Sequence, residues 1–125
     1  MKLLDIATAK DARVKCLEIG GDLVLPTNNQ QNQDLIRAIK NLGNRSNVHI
    51  RTSDILMEGQ WLDMATGKPI SYANWGPSSP DNWQKSEHYA LIDAFGNWND
   101  VKWDVLGYPL CQKIDKPGNK NSYEF

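Results

Sequence analysis

The hydrophobic pattern of this chain changes period at Gly43, from about 3.6 residues to about 2, and that switch commits it to a mixed architecture. Ahead of it, Thr8 with Asp11 three residues on has the look of a capping box. Ala9, Ala12, Cys16 and Ile19 recur at helical spacing, and Gly20-Gly21 stops the run. Leu23-Val24-Leu25 reads as a short strand ended by Pro26. Asn28 with Gln31 repeats the capping pattern, Leu35, Ile36, Ile39 and Leu42 form one apolar face, and Gly43 closes a second helix. Beyond Gly43, Val48, Ile50 and Thr52 alternate with polar residues. Gln60-Trp61-Leu62 and Ile70-Ser71-Tyr72 flank Thr66-Gly67 as the arms of a hairpin, and Tyr89 to Ile92, Asn97-Trp98 and Leu110 to Ile114 supply further strands. Two helices followed by many short strands predict an α+β fold.

At 125 residues the chain is expected to be a single domain, 1–125, with its core at about 7–114 and a tail over 115–125. Lys+Arg (14) and Asp+Glu (15) nearly cancel, which leaves no basic footprint for nucleic acid, and no apolar run is long enough for membrane insertion. The charge is uneven, however: residues 54–125 hold six basic and ten acidic groups, so a cation belongs to that half. No extended apolar segment follows Met1, as expected of a cytosolic chain or a mature domain. Cys16 and Cys111 are equally compatible with a thiol pair and a disulfide at this point.

Four of the five tryptophans (Trp75, Trp83, Trp98, Trp103) fall close together, around a long loop from Ala73 to Glu87 rich in Ser, Pro, Asn and Asp. Loops of that length are commonly functional. Oxygen donors gather there and just beyond: Ser79, Asp81, Glu87, Asp93, Asn99 and Asp100. Ca²⁺ takes such mixtures of carboxylate and amide oxygens, although Asp and Asn are also ordinary turn residues. No EF-hand pattern is present.

Several short motifs occur in a fixed order: the helix with Cys16, Gly20-Gly21-Asp22-Leu23-Val24, Glu58-Gly59-Gln60-Trp61, Ile70-Ser71-Tyr72-Ala73-Asn74-Trp75, Ser79-Pro80-Asp81, Trp98-Asn99-Asp100 and Cys111. In that order and spacing they resemble a C-type lectin-like domain over nearly all of residues 7–114. The resemblance implies a fold of two helices, short and mostly antiparallel strands, and a long loop region. It also implies a Cys16–Cys111 disulfide, hence a secreted, extracellular home, and a principal Ca²⁺ site formed by Ser79, Asp81, Glu87, Asn99 and Asp100. The proline of the motif is cis in this family, which is expected of Pro80. Sugar binders of the family carry Glu-Pro-Asn for mannose-type and Gln-Pro-Asp for galactose-type ligands. Ser-Pro-Asp keeps the galactose-type Asp, and Trp83 stands two residues after it, where galactose-type members often place a tryptophan.

Three departures accompany the resemblance. Ser79 is shorter than the usual Gln or Glu. The family's second disulfide is replaced by Tyr89 and Trp103, an aromatic pair expected to pack across the gap. The usual Trp-Ile-Gly core segment reads His49-Ile50-Arg51. An auxiliary Ca²⁺ site would draw on Asp54 and Glu58, but Asn82 and His88 occupy its other positions, so that site is expected to be lost. His49 and His88 are read as non-ligands, since zinc sites want clustered His and Cys. Trp75, Trp98 and Trp103 are read as structural, and Asp93 as a turn former before Gly96.

No motif supports a serine triad, and no apolar pocket is in view to raise a glycosidase acid, so the chain is not expected to be an enzyme. The sequence reading is therefore a calcium-dependent lectin for glycans ending in galactose or N-acetylgalactosamine. Its ligand-binding residues are Ser79, Asp81, Trp83, Glu87, Asn99 and Asp100, and homo-oligomers are compatible with it. The alternative is a calcium-independent domain of the same fold that binds a protein or another surface; ice binding is a third reading that nothing in the sequence selects.

Overall fold

Thr8 opens the first helix as its neighbours require: its backbone is extended, and its hydroxyl accepts from the Asp11 amide at 3.4 Å. The computed structural model describes residues 1–43, 47–77, 79 and 86–113. Helix α1 (Ala9–Glu18) follows a short strand β1 (Lys2–Leu3) and buries Ala9, Ala12 and Cys16. Ile19, expected on that face, is instead the C-cap and is exposed, because the helix stops there and Gly20 turns the chain at φ +88°. Strand β2 (Gly21–Leu23) starts two residues earlier than Leu23-Val24-Leu25 suggested.

Helix α2 (Asn29–Asn41) is capped by Asn28, whose side chain accepts from the Gln31 amide at 2.8 Å while the Gln31 side chain accepts from Thr27. It buries Leu35 and Ile39. Leu42 lies past the end, at the surface.

The remaining strands are β3 (Val48–Ser53), β4 (Leu62–Asp63), β5 (Glu87–Ile92), β6 (Trp98–Lys102) and β7 (Tyr108–Lys113). The sheet runs β1-β7-β3-β5-β6, with β2 also on β7 and β4 also on β3. Every pairing is antiparallel except β3 with β7. The hairpin around Thr66-Gly67 is present, with the Gly67 amide bonded to the Asp63 carbonyl at 2.8 Å and Leu62 bridging Pro69. Its second arm stays a bridge and not a strand, as the missing N–H of Pro69 favours.

Between β7 and β5, β3 is covered on both faces, so the one-sided alternation expected of it does not hold. His49 is as buried as Val48 and Ile50. Its Nε2 donates to the Ala7 carbonyl at 2.8 Å, which leaves Nδ1 buried without a partner. Burial lowers the imidazole pKa, against the smaller opposing effect of the Ala7 bond. At the next departure, Arg51 grips Asp63 through two nitrogens (2.8 and 3.3 Å) and the Leu23 carbonyl through a third (2.9 Å). One guanidinium thereby ties β3 to β4 and β2.

Cys16 and Cys111 are disulfide-bonded, with Cα atoms 5.3 Å apart, and the bond joins α1 to β7. The main core gathers Val24, Leu35, Ile39, Val48, Ile50, Ile92, Trp98 and Leu110. Trp98 is fully buried, and Trp75 contacts it edge-on while also packing on Trp61 at 4.7 Å, so both have the structural place expected of them. Trp103 does not: it lies beyond the end of β6, 69% exposed. Tyr89 pairs opposite Val101 instead, and among the described residues these two rings do not stack across the position of the absent disulfide.

Candidate functional site

Strand β6 ends the sheet, and its outer edge carries the chain segment that leads into the long loop. Trp98 donates its amide to the Asn74 carbonyl (2.9 Å), and the Gly76 amide bonds the Trp98 carbonyl (2.9 Å). A Cβ on Gly76 would come 3.3 Å from the Asn99 side-chain oxygen, a tight contact. The Ser79 amide then bonds the Gly76 carbonyl at 2.9 Å, and the Ser79 hydroxyl donates to Asn99 Oδ1 at 3.2 Å. Four of the six residues expected at the binding site are thus described. Ser79 and Asn99 touch, Asp100 follows in β6 and is 5% exposed, and Glu87 opens the neighbouring strand β5, half-buried. In register, Glu87 faces Lys102 and Asp100 faces Ala90, so the two carboxylates belong to paired strands. Asp81, Trp83 and the expected cis bond at Pro80 lie outside the described residues.

The underside of this edge is held firmly. Asn32 of α2 accepts from the Trp98 indole (3.0 Å) and donates to the Gly96 carbonyl (3.1 Å), which also accepts from the Asn74 amide group (2.7 Å). Asp93 fulfils its expected turn role by accepting from the amides of Phe95 and Asn97. All described donors of the candidate site are oxygens (hydroxyl, amide and two carboxylates), the kind that suits Ca²⁺ and does not suit softer ions.

A second cluster sits where β3 ends and β5 begins. One ligand atom each from Asp54, Glu58 and His88 lies within 4.8 Å of the others. The Asp54 carboxylate accepts from His88 Nδ1 (2.9 Å) and from the Gly59 amide (2.9 Å) and is almost wholly buried. The Glu58 carboxyl pKa is raised, first by a hydrogen bond with Asp54, then by desolvation and by the Asp54 charge. The resemblance puts Asp54, Glu58 and His88 at positions of one auxiliary site, with His88 read as a non-ligand; the structure does bring the three side chains together.

A sequence model of the Lectin C-type domain matches residues 6–113. This chain belongs to the C-type lectin domain family. The lectin domain is 34% identical over 122 residues to salivary C-type lectin 2 of Aedes albopictus, covering 90% of this chain and 81% of that protein. It is 36% identical over 87 residues to the mannose-binding protein of Gallus gallus, covering 69% of this chain and 32% of that one. The carbohydrate-recognition domain of the mouse scavenger receptor C-type lectin superposes with a TM-score of 0.80 at 26% identity, over 90% of this chain and 87% of that chain. The lectin domain spans about a third or less of the length of the first curated relatives it matches. Family model and fold agree that it is a C-type lectin domain over nearly its whole described length. None of its described helices is long and apolar enough to cross a membrane.

Proposed function

We propose that this lectin domain binds glycans ending in galactose or N-acetylgalactosamine through a Ca²⁺ ion, and that it works outside the cell. The observation that carries the proposal is the contact between Ser79 and Asn99. It joins the segment leading into the Ser79-Pro80-Asp81 motif to the strand bearing Asn99 and Asp100, the two halves of one oxygen donor set. In this reading Asp81, Glu87, Asn99 and Asp100 hold the ion, with Ser79 direct or through water. When bound, the ion supplies open coordination positions for two adjacent sugar hydroxyls. The chain's own part is to accept and donate hydrogen bonds to those same hydroxyls, charge-assisted at the carboxylates. Asp81 after the proline and Trp83 beyond it favour galactose. The likeness to a protein named for mannose makes mannose the competing outcome.

The Ser79 hydroxyl also favours a second reading, a calcium-independent binding surface, because it already engages the Asn99 oxygen that an ion would use. Retention on a galactose matrix, with and without a chelator, separates the two. The proposal expects release on chelation, and retention unaffected by the chelator would favour the second reading. The cystine between Cys16 and Cys111 supports an extracellular home, since such bonds persist in oxidising compartments.

A further inference from the structure

We propose that the cleft between α1 and the β3–β4 connection binds one long-chain carboxylate, with its acyl tail among apolar side chains and its head on Lys10. The core-facing stripe of α1 is Ala9, Ala12 and Cys16, so Lys10, Arg13, Val14 and Leu17, also at helical spacing, fall on a second face. That face does not close on the sheet. It forms one wall of a cleft of about 380 Å³, whose other wall is β4 with the turn that follows β3. Val14 and Leu17 on one side and Ile55 and Leu56 on the other are all exposed, Leu56 by 82%. Single exposed apolar side chains are ordinary, but four converging on one cleft mark a binding surface. Both walls are fixed. The disulfide ties α1 to β7, Arg13 ties it to Asp22 of β2 (3.1 Å), and Arg51 holds Asp63 of β4 (2.8 Å). The cleft is therefore preformed, as ligand sites usually are.

The same ion pairs leave one charge for a ligand. Of the charged groups lining the cleft, Arg13 is committed to Asp22 and Asp63 to Arg51, whereas Lys10 is exposed and in no ion pair among the described residues. An apolar cleft with a single ammonium at its edge complements an amphiphile with one negative charge. Lysine is a compact charge on a flexible stem, so it can follow a carboxylate while its methylenes cover the start of the chain. Volume decides against a partner helix. A helix 10 Å across fills about 420 Å³ in each turn, so this cleft holds less than one turn. It falls instead within the range of small-molecule sites, about 300 to 1,000 Å³. Each methylene buried there adds to affinity, so chain length is what the site should read first.

The test is calorimetric titration of the whole chain with dodecanoate, below its micelle concentration and in calcium-free buffer, since calcium precipitates the soap. One dodecanoate per chain is expected, bound at least about tenfold tighter than octanoate, which lacks four of its methylenes. It should also bind several-fold tighter than dodecyltrimethylammonium, whose head carries the opposite charge. Lys10→Glu should reverse that head-group preference. Val14→Trp, which puts an indole into the cleft, should abolish uptake of both amphiphiles. Both positions are exposed; thermal unfolding checks the fold, and Lys10→Glu carries the test if Val14→Trp does not fold. No uptake by the wild type, a head-group preference unchanged in Lys10→Glu, or uptake unchanged in a folded Val14→Trp would overturn the proposal. So would either rival occupant: a dimer in sedimentation that Val14→Trp dissociates, or binding to phosphatidylcholine vesicles that dodecanoate does not displace. Sugar binding should be unchanged in both variants, since it uses other residues.

Discussion

The indole of Trp98 donates to the side chain of Asn32 at 3.0 Å, a buried bond between a strand and a helix 66 residues apart in sequence. It suspends the strand that continues into Asn99 and Asp100 from α2, and the second Asn32 bond does the same for the β5–β6 turn at Gly96. Asn32→Leu would leave the buried indole N–H without a partner, while the Gly96 carbonyl would keep its bond from Asn74. A loss of about 1–3 kcal/mol is expected in urea unfolding, with sugar affinity falling alongside it.

Gly96 lies on the same suspension. Its backbone is at φ +89°, and a Cβ there would come 2.3 Å from Ile36 Cδ1. Gly96→Ala should therefore destabilise the domain by about 1–3 kcal/mol, readable as a lowered unfolding midpoint.

The disulfide closes a loop across a sequence separation of 95. Replacing both cysteines by serine should cost about 2–5 kcal/mol in denaturant unfolding. Mass spectrometry of the unreduced wild type should find no free thiol.

Much of this architecture was legible beforehand because the signals are local. Caps at Thr8 and Asn28, the turn at Gly20 and the strand character of the Val48 to Thr52 run each reflect neighbours in sequence. What escaped depends on partners far along the chain. His49 is buried because the chain at Ala7 and Gly107 lies against its ring, and Arg51 replaces a small residue because Asp63 and the Leu23 carbonyl are waiting for it. Trp103 looked structural by type but falls past the last paired residue of β6, in solvent. At the candidate site, the motifs named Ser79, Glu87, Asn99 and Asp100. The resemblance also put His88 near Asp54, and what it left out is the hydrogen bond from His88 Nδ1 to the Asp54 carboxylate.

His49 gives the fold a pH dependence with a definite sign. Its folded pKa is lowered by burial, so below about 6.5, the ordinary histidine value, the unfolded chain binds the extra proton more readily. The stability that the neutral imidazole contributes is present above that pH and is lost as pH falls through it. His49→Gln should flatten this part of the stability profile, measured by unfolding at intervals from pH 8 to 5.

Sugar choice rests on Asp81 and Trp83. Galactose, with its axial 4-hydroxyl, leaves an apolar patch from C3 to C6 that can lie on an indole. An aromatic contact of about 1 kcal/mol is a several-fold factor in affinity. Trp83→Ala should thus erase the preference for galactose and N-acetylgalactosamine over mannose while leaving calcium uptake intact, as competition binding would show.

Calorimetric titration of the wild-type chain with galactose and with mannose, each in saturating Ca²⁺ and again after chelation, tests the central claim most directly. The account predicts galactose binding near about 1 mM, weaker mannose binding, and no sugar binding once the metal is removed. A preference for mannose would contradict the galactose reading, and sugar binding that survives chelation would contradict the role of calcium.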